Sequence, residues 1–364
     1  MTDIKIILED GSEYGGKSFG YQGSTAGEVV FNTAMTGYPE SLTDPSYKGQ
    51  ILVMTYPLVG NYGVPSNAEE NGMPRFFESN GIHISALVIT DYTADFSHWA
   101  AEKSLNDWMT ENCIPGVYGV DTRALTKRLR EKGTMLGKIV CNNQDVSFYN
   151  PYNDHLVDMV SCKEKIVYGN GSHRILLIDC GVKFNIIRDL IDNDATVIRV
   201  PWDYDFLNEE YDGLFITNGP GDPKKCDATI RNVARAYQRN EPIMGICLGN
   251  QIMGLAAGAE TFKLKYGHRS HNQPVKLVGG DTTFITAQNH GFAINMDTLS
   301  GEWEEFYVNL NDGTNEGIRH KTKPFFSAQF HPEASGGATD TKYLFGAFIE
   351  EVKKHKSKNI LSKA

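Results

Sequence analysis

Apolar and polar positions are arranged in two different ways along this chain of 364 residues. Up to about residue 140, short apolar runs at 5–8, 28–31, 51–55 and 86–90 are broken by Gly, Pro and Asn. Such runs predict strands, and helical spacing there is confined to 105–112 and 123–131. This part, 1–143, reads as a β-rich α+β domain. Residues 144–172 hold Asn150-Pro151, a charged run at 163–165 and Gly169-Asn170-Gly171-Ser172. That is turn chemistry and predicts a connection between domains.

From Arg174 the pattern changes. Apolar runs at 175–179, 196–200, 214–217 and 243–246 alternate with amphipathic segments. One carries Ile186, Ile187, Leu190 and Ile191 on one face, and another Ile230, Val233, Ala234 and Tyr237. Strands alternating with helices predict a mainly parallel sheet flanked by helices, over 173–358. Ligands of such sheets sit beyond the carboxyl ends of the strands, so the loops starting at Asp179, Thr217 and Ile246 are the ones to inspect. Residues 275–331 look more strand-like, with Asn311-Asp312-Gly313 as a hairpin turn. A last helix has Leu344, Ala347, Phe348 and Val352 on one face, and the lysine-rich end after it is expected to fray.

Composition narrows the function classes. Thirty-five basic against 45 acidic side chains leave a formal charge of -10, the wrong sign for non-specific nucleic-acid binding. No apolar stretch is long enough for a membrane span. The opening MTDIKIILEDG carries acidic residues and does not resemble a secretion signal. The six cysteines are scattered without a CxxC pair, which fits free thiols in a reducing cytoplasm. Residues 11–18, GSEYGGKS, match a phosphate-binding loop pattern, but that loop needs a helix directly after its lysine. Phe19-Gly20-Tyr21-Gln22-Gly23 follows instead, and a β-turn is the better reading.

The strongest chemical signal is Gly245-Ile246-Cys247-Leu248-Gly249 after the strand at 243–246. It is the thiol counterpart of a nucleophile elbow, whose tight turn needs small residues on both flanks. The turn puts sulfur at a helix N-terminus and aims the Leu248 N–H at an oxyanion. A buried core cysteine is the bland alternative. A base is needed, and His331 in Phe330-His331-Pro332-Glu333 is preferred, with Glu333 two residues away to orient it. His268, His271 and His290 are the competitors. The loop Thr217-Asn218-Gly219-Pro220-Gly221-Asp222-Pro223 can bring a backbone N–H close to a ligand and form a second oxyanion wall. No metal is expected, because the spacing of His268 and His271 finds no further ligands.

GICLGNQ, NGPGDP and FHPEAS together resemble the class I, triad-type glutamine amidotransferases, over about 173–355. In the first half, Gly27-Glu28-Val29-Val30-Phe31-Asn32-Thr33, Met35-Thr36-Gly37-Tyr38, Leu42-Thr43-Asp44-Pro45-Ser46-Tyr47 and Asp121-Thr122-Arg123 resemble the carbamoyl-phosphate synthetase small subunit family. The resemblance implies L-glutamine hydrolysis by Cys247, His331 and Glu333, with Ser46, Gly219, Gly221, Leu248, Gln251, Asn289, Gly291 and Phe292 contacting the substrate. It implies a large-subunit partner that makes carbamoyl phosphate from bicarbonate and ATP, in a higher oligomer of heterodimers. No cofactor is expected on this chain, ATP and Mg being on the partner. Asn250 stands where the family commonly has His.

Overall fold

The computed structural model describes residues 3–363. The chain divides into two compact units between Leu156 and Val157. In the first unit seven strands close a barrel. They are β1 (Asp3–Leu8), β2 (Glu13–Gly20), β3 (Thr25–Asn32), β4 (Gln50–Met54), β5 (Ala86–Val88), β6 (Pro115–Tyr118) and β7 (Met135–Cys141). Their order is β1-β7-β3-β4-β5-β6-β2. Strands β3, β4, β5 and β6 run parallel and the other pairs antiparallel. Closure leaves the barrel itself without a free edge at which another chain could pair. Helix α1 is Tyr38–Thr43, α2 is Leu105–Glu111 and α3 is Thr122–Lys132. Ser104 caps α2 by accepting from Asp107 N, and Asp121 caps α3 by accepting from Ala124 N. Leu42, Leu52, Leu87, Trp108 and Met109 belong to one buried cluster against this barrel.

The tempting segment 11–18 is a hairpin. Gly11, at φ 83°, turns the chain, and β2 then pairs with β1 with Tyr14 opposite Ile6. Lys17 therefore lies in a strand with no helix start beside it. A second buried feature is Glu28, whose carboxylate accepts from Gln50 Nε2, Thr134 Oγ1 and Tyr152 Oη, each at 2.9 Å. A buried carboxylate with three donors is well satisfied, and it ties β3 to the segment leaving the barrel.

The second unit is built on a ten-stranded sheet. Its strands are β8 (Ile166–Tyr168), β9 (His173–Asp179), β10 (Ala195–Pro201), β11 (Gly213–Ile216), β12 (Ile243–Ile246), β13 (Glu260–Leu277), β14 (Thr283–Asn295), β15 (Trp303–Asn309), β16 (Asn315–His320) and β17 (Phe325–Ala328). The order is β8-β10-β9-β11-β12-β17-β16-β15-β13-β14. Strands β10, β9, β11, β12 and β17 are parallel, and an antiparallel wing follows from β17 to β14. The wing is the strand-like region expected at 275–331, with Gly313 at φ 75° in the turn between β15 and β16.

Helix α4 is Leu156–Val160, α5 is Phe184–Asp192, α6 is Asp227–Ala236, α7 is Leu248–Ala256 and α8 is Tyr343–Lys363. Side chains of β11 alternate between the two faces. Leu214 and Ile216 join Val233, Leu248 and Ile252 in one core, while Phe215 stacks on Phe345 and meets Phe348 edge-on. Two segments differ from the sequence reading. The stretch 144–172 is not all connection, because Ile166, Val167 and Tyr168 pair with Arg199, Ile198 and Val197 at the sheet edge. Helix α8 also runs on through the lysine-rich end.

At the carboxyl end of β9, Asp179 is fully buried and organises the following loop. It accepts from Gly181 N, Val182 N and Cys162 N, and it pairs with Arg199 at 2.6 Å. Removing it strands a buried guanidinium and three N–H donors. Asp179→Ala is expected to lower the unfolding free energy by about 3–5 kcal/mol. Urea denaturation checks this: the midpoint should fall with the slope unchanged.

Candidate active site

Strand β12 is wholly buried and ends where the chain turns sharply at Cys247, which has φ 55° and ψ -102°. A non-glycine residue held there is strained by about 1–3 kcal/mol and persists only where its surroundings impose it. Two glycines make the turn possible. A Cβ on Gly249 would collide with Ile216 O, and one on Gly245 would lie 2.7 Å from the Gly249 carbonyl. The Cys247 N–H donates to Ala328 O at 2.8 Å, so the elbow is also tied to β17. The thiol itself faces Asn289 O at 3.7 Å. Helix α7 begins directly after it, and the first N–H groups of a helix have no partner within the helix.

The loops that leave β9, β11, β12 and β17 all lie at the carboxyl ends of parallel strands, where this sheet type binds ligands. From the last of them come His331 and Glu333. The imidazole Nδ1 is 2.6 Å from Glu333 Oε1, and both side chains are buried. Nε2 is buried without a hydrogen-bond partner. Burial opposes charge on His331, but Glu333 and then Cys247 outweigh it and raise the pKa well above the usual histidine value. For Glu333, burial opposes ionisation, and Lys183 and His331 overcome it and hold the carboxyl well below the usual range.

Lys183 is the residue that sequence reasoning missed. It lies in the loop after β9 with Nζ 3.0 Å from Glu333 Oε1, and its N–H donates to Asn218 Oδ1. Asn185 Nδ2 donates to the Glu333 carbonyl. The available signal was position: both follow Asp179, the first loop expected to carry chemistry. Lys183, Glu333 and His331 thus form a chain of buried groups of alternating charge that leads to Cys247.

Several of the other expected residues of this unit lie beside Cys247 or helix α7. A Cβ on Gly219 would approach Leu248 Cδ2 to 2.8 Å, so the loop after β11 packs against the start of α7. Gly221 has φ 91°, a conformation that favours glycine. Gln251 Nε2 donates to Phe292 O at 2.9 Å and joins α7 to the β14 segment holding Asn289, Gly291 and Phe292. Asn250 is buried beneath the elbow, accepting from Ser327 Oγ at 2.7 Å and donating to Gln329 Oε1 at 3.1 Å. Both ends of its amide are used, which accounts for an amide at this position. Ser46 lies in the first unit, buried after Asp44, whose side chain accepts from the Ser46 N–H.

The competing histidines have other surroundings. His290 is buried, with its pKa far below normal through burial and then the charge of His268. His271 is lowered to about 4 by burial and then Lys183. His268 meets Asp312 and Glu316, and the structure pairs it with His290 rather than with His271.

The shifts of His331 and Glu333 give opposite pH dependences. A raised histidine pKa adds stability that is complete below the unfolded value of about 6.5. That stability is lost as pH rises through the folded value of about 10. The depressed Glu333 adds stability above about 4.3 that is lost only as pH falls through the folded value. The stability difference between wild type and His331→Asn should therefore shrink between pH 6.5 and 10. Urea unfolding at three pH values in that window measures it, and a difference that grows with pH would contradict the charge assignment.

Residues 6–139 match the family model of the carbamoyl-phosphate synthase small chain, CPSase domain, and residues 176–351 that of glutamine amidotransferase class-I. Over 98% of its length the chain is 49% identical to the human mitochondrial carbamoyl-phosphate synthase [ammonia], covering 24% of that protein. It is 50% identical to the multifunctional protein CAD of Squalus acanthias over 95% of the chain and 16% of that protein. A third relative, the multifunctional protein pyr-3 of Neurospora crassa, is 49% identical over 98% of the chain and 22% of its own length. The chain spans about a quarter or less of these relatives. The chain thus carries two matched domains, in this order and on either side of the boundary between the units: a carbamoyl-phosphate synthase small-chain CPSase domain and a class-I glutamine amidotransferase domain.

Proposed function

We propose that this chain hydrolyses L-glutamine and supplies the ammonia to a carbamoyl-phosphate synthetase large subunit or region. The observation that carries the reading is a cysteine held at positive φ on a strand-to-helix turn, with a buried His–Glu pair charged against it. The Cys247 thiolate attacks the side-chain amide carbon, and the oxygen takes up charge facing the Leu248 and Gly219 N–H groups. The His331 imidazolium passes its proton to the leaving nitrogen, and ammonia departs from a γ-glutamyl thioester. Neutral His331 then takes a proton from water as it attacks the thioester, releasing glutamate and the thiolate. Glu333 holds the ring by Nδ1, and Lys183 keeps Glu333 ionised. Gln251, Asn289, Gly291 and Phe292 form the substrate wall, and Ser46 is a further glutamine contact that the resemblance implies.

Cys247→Ser is expected to lower glutamine hydrolysis by several orders of magnitude, as losing a nucleophile does. Ammonia should still support synthesis in the complete complex. His331→Asn should cost nearly as much, and the double variant little more, because the two act as a unit. Glu333→Gln should be milder. Ser46→Ala should raise KM more than it lowers kcat. Acid-quenched thioester trapping with labelled glutamine reads the first step directly. The human relative's name carries ammonia, so labelled glutamine is the decisive substrate.

The partner reading draws on relatives at least four times as long as this chain and on the surface of the first unit. Trp99 is 85% exposed and Met35 is 66% exposed. Phe96 packs at Gly63, and His98 links the rings of Tyr62 and Trp99. Aromatic residues exposed to this degree fit an interface core. A permanent complex would bury about 2,000 Å² or more. A cytoplasmic location and ATP sites on the partner belong to the same proposal. Trp99→Asp should weaken co-purification of the large subunit from native extract by tenfold or more, while leaving the thermal unfolding midpoint of the isolated chain unchanged. Equal recovery of the partner with the variant would move the interface elsewhere.

A further inference from the structure

The strands of the antiparallel wing bring together three buried groups that the reaction does not use. His268 on β13 and His290 on β14 are opposite each other in register, and their rings meet edge to face at 4.9 Å. Glu316 on β16 is fully buried beside them. His268 Nδ1 is 3.4 Å from Glu316 Oε1, and His290 Nε2 is 3.9 Å from the same oxygen. One donor atom from each residue lies within 4.8 Å of the others. In a tetrahedral zinc site with bonds of 2.0–2.1 Å, ligand atoms are about 3.4 Å apart.

The outer partners of these groups are those of a metal site. His268 Nε2 is 2.8 Å from Asp312 Oδ2, and His290 Nδ1 is 2.9 Å from Phe292 O. Glu316 Oε1 accepts from Asn309 Nδ2 at 2.8 Å. A histidine ligand typically gives its other N–H to a carboxylate or a backbone carbonyl, and a ligating carboxylate is itself hydrogen-bonded. These bonds turn lone pairs inward from His268 Nδ1 and His290 Nε2, towards a carboxylate. The mismatch continues at Gln288. Its amide nitrogen donates to Thr286 Oγ1, so its Oε1 faces His290 Nε2 at 3.2 Å, and with the His290 proton on Nδ1 both of these atoms are acceptors. Glu316 Oε2 is buried without a hydrogen-bond partner. A cation at the centre satisfies all of these atoms together.

We propose that His268, His290 and Glu316 bind a divalent transition-metal ion, with Zn²⁺ the best match to two imidazoles and one carboxylate. Gln288 Oε1 is placed to be a fourth ligand. Asn309 Nδ2, 3.4 Å from His268 Nδ1, is the contact the ion displaces. The ion's role is structural: Phe292 O accepts from both His290 and Gln251, so a fixed His290 steadies the segment that lines Cys247.

The test uses the full chain carrying Cys247→Ser, so that the thiolate cannot compete for metal. After chelation and gel filtration, Co²⁺ is titrated and its visible d–d absorption followed, then Zn²⁺ is added to displace it. The expected result is one ion per chain with micromolar or tighter affinity and a higher melting temperature with Zn²⁺. His268→Asn should weaken binding by more than 100-fold. Asp312→Asn, at an exposed position, should weaken it about 10–100-fold, as loss of an outer partner does. Absence of saturable binding, or unchanged affinity in Asp312→Asn together with His268→Asn, overturns the proposal and leaves a protonated His268 between two carboxylates. Should His268→Asn fail to fold, the Asp312→Asn titration decides alone.

Discussion

The backbone of Cys247 is the constraint on which the second unit turns. At φ 55° and ψ -102° a side chain with a Cβ is disfavoured, so the neighbours must hold it there. They do so with backbone. Gly249 packs on the Ile216 carbonyl, Gly245 lies under Gly249, and the Cys247 N–H is bound to Ala328. Three adjacent parallel strands, β11, β12 and β17, are therefore locked around one residue. That placement sets the sulfur at the sheet's carboxyl edge and at the start of α7. The loops carrying Gly219 and His331 leave the neighbouring strands β11 and β17 at the same edge. Strain at the cysteine and closeness of the three loops are the same fact.

Charge is arranged with the same economy. Lys183, Glu333 and His331 are nearly excluded from water, and ions in such surroundings cost several kcal/mol each unless paired and hydrogen-bonded. Pairing is continuous here: ammonium to carboxylate at 3.0 Å, carboxylate to imidazole at 2.6 Å. An imidazolium is then cheap to form at His331, beside Cys247. Asn185 and Asn218 hold the carbonyl of Glu333 and the backbone of Lys183, so the chain of charges is fixed at its far end too.

What could be read from the sequence follows from what is local. The elbow, the His–Glu pair two residues apart, the parallel strands and the turn at Gly313 are each written in a few consecutive residues. The hairpin at Gly11 was legible because the glycines after Lys17 exclude a helix. Lys183 was not legible, because nothing near it in sequence requires a carboxylate contributed 150 residues later. Barrel closure was equally hidden, since β1 pairs with β7 across more than a hundred residues. The edge strand at 166–168 was lost among turn residues, and its partner β10 supplies the reason it forms. His268 was compared with His271 on spacing alone, whereas two strands in antiparallel register bring it to His290.

The buried polar atoms beneath the elbow connect these themes. Gln329 Oε1 accepts from both Asn250 and Gln251, and the Gln329 N–H donates to the Glu316 carbonyl. Gln251 in turn shares the Phe292 carbonyl with His290. A continuous set of hydrogen bonds thus runs from the helix that begins at Cys247 to the His268, His290 and Glu316 cluster. Such a layer is rigid where its bonds are made, and Gln329 Nε2 and Glu316 Oε2 are its buried atoms without a hydrogen-bond partner. Asn250 fits it because one amide both donates and accepts, to Gln329 and Ser327. Glu316 is joined to Phe292 on its side-chain face as well, through His290. The wing of antiparallel strands, which contributes none of Cys247, His331 and Glu333, thereby steadies the segment of β14 beside Cys247.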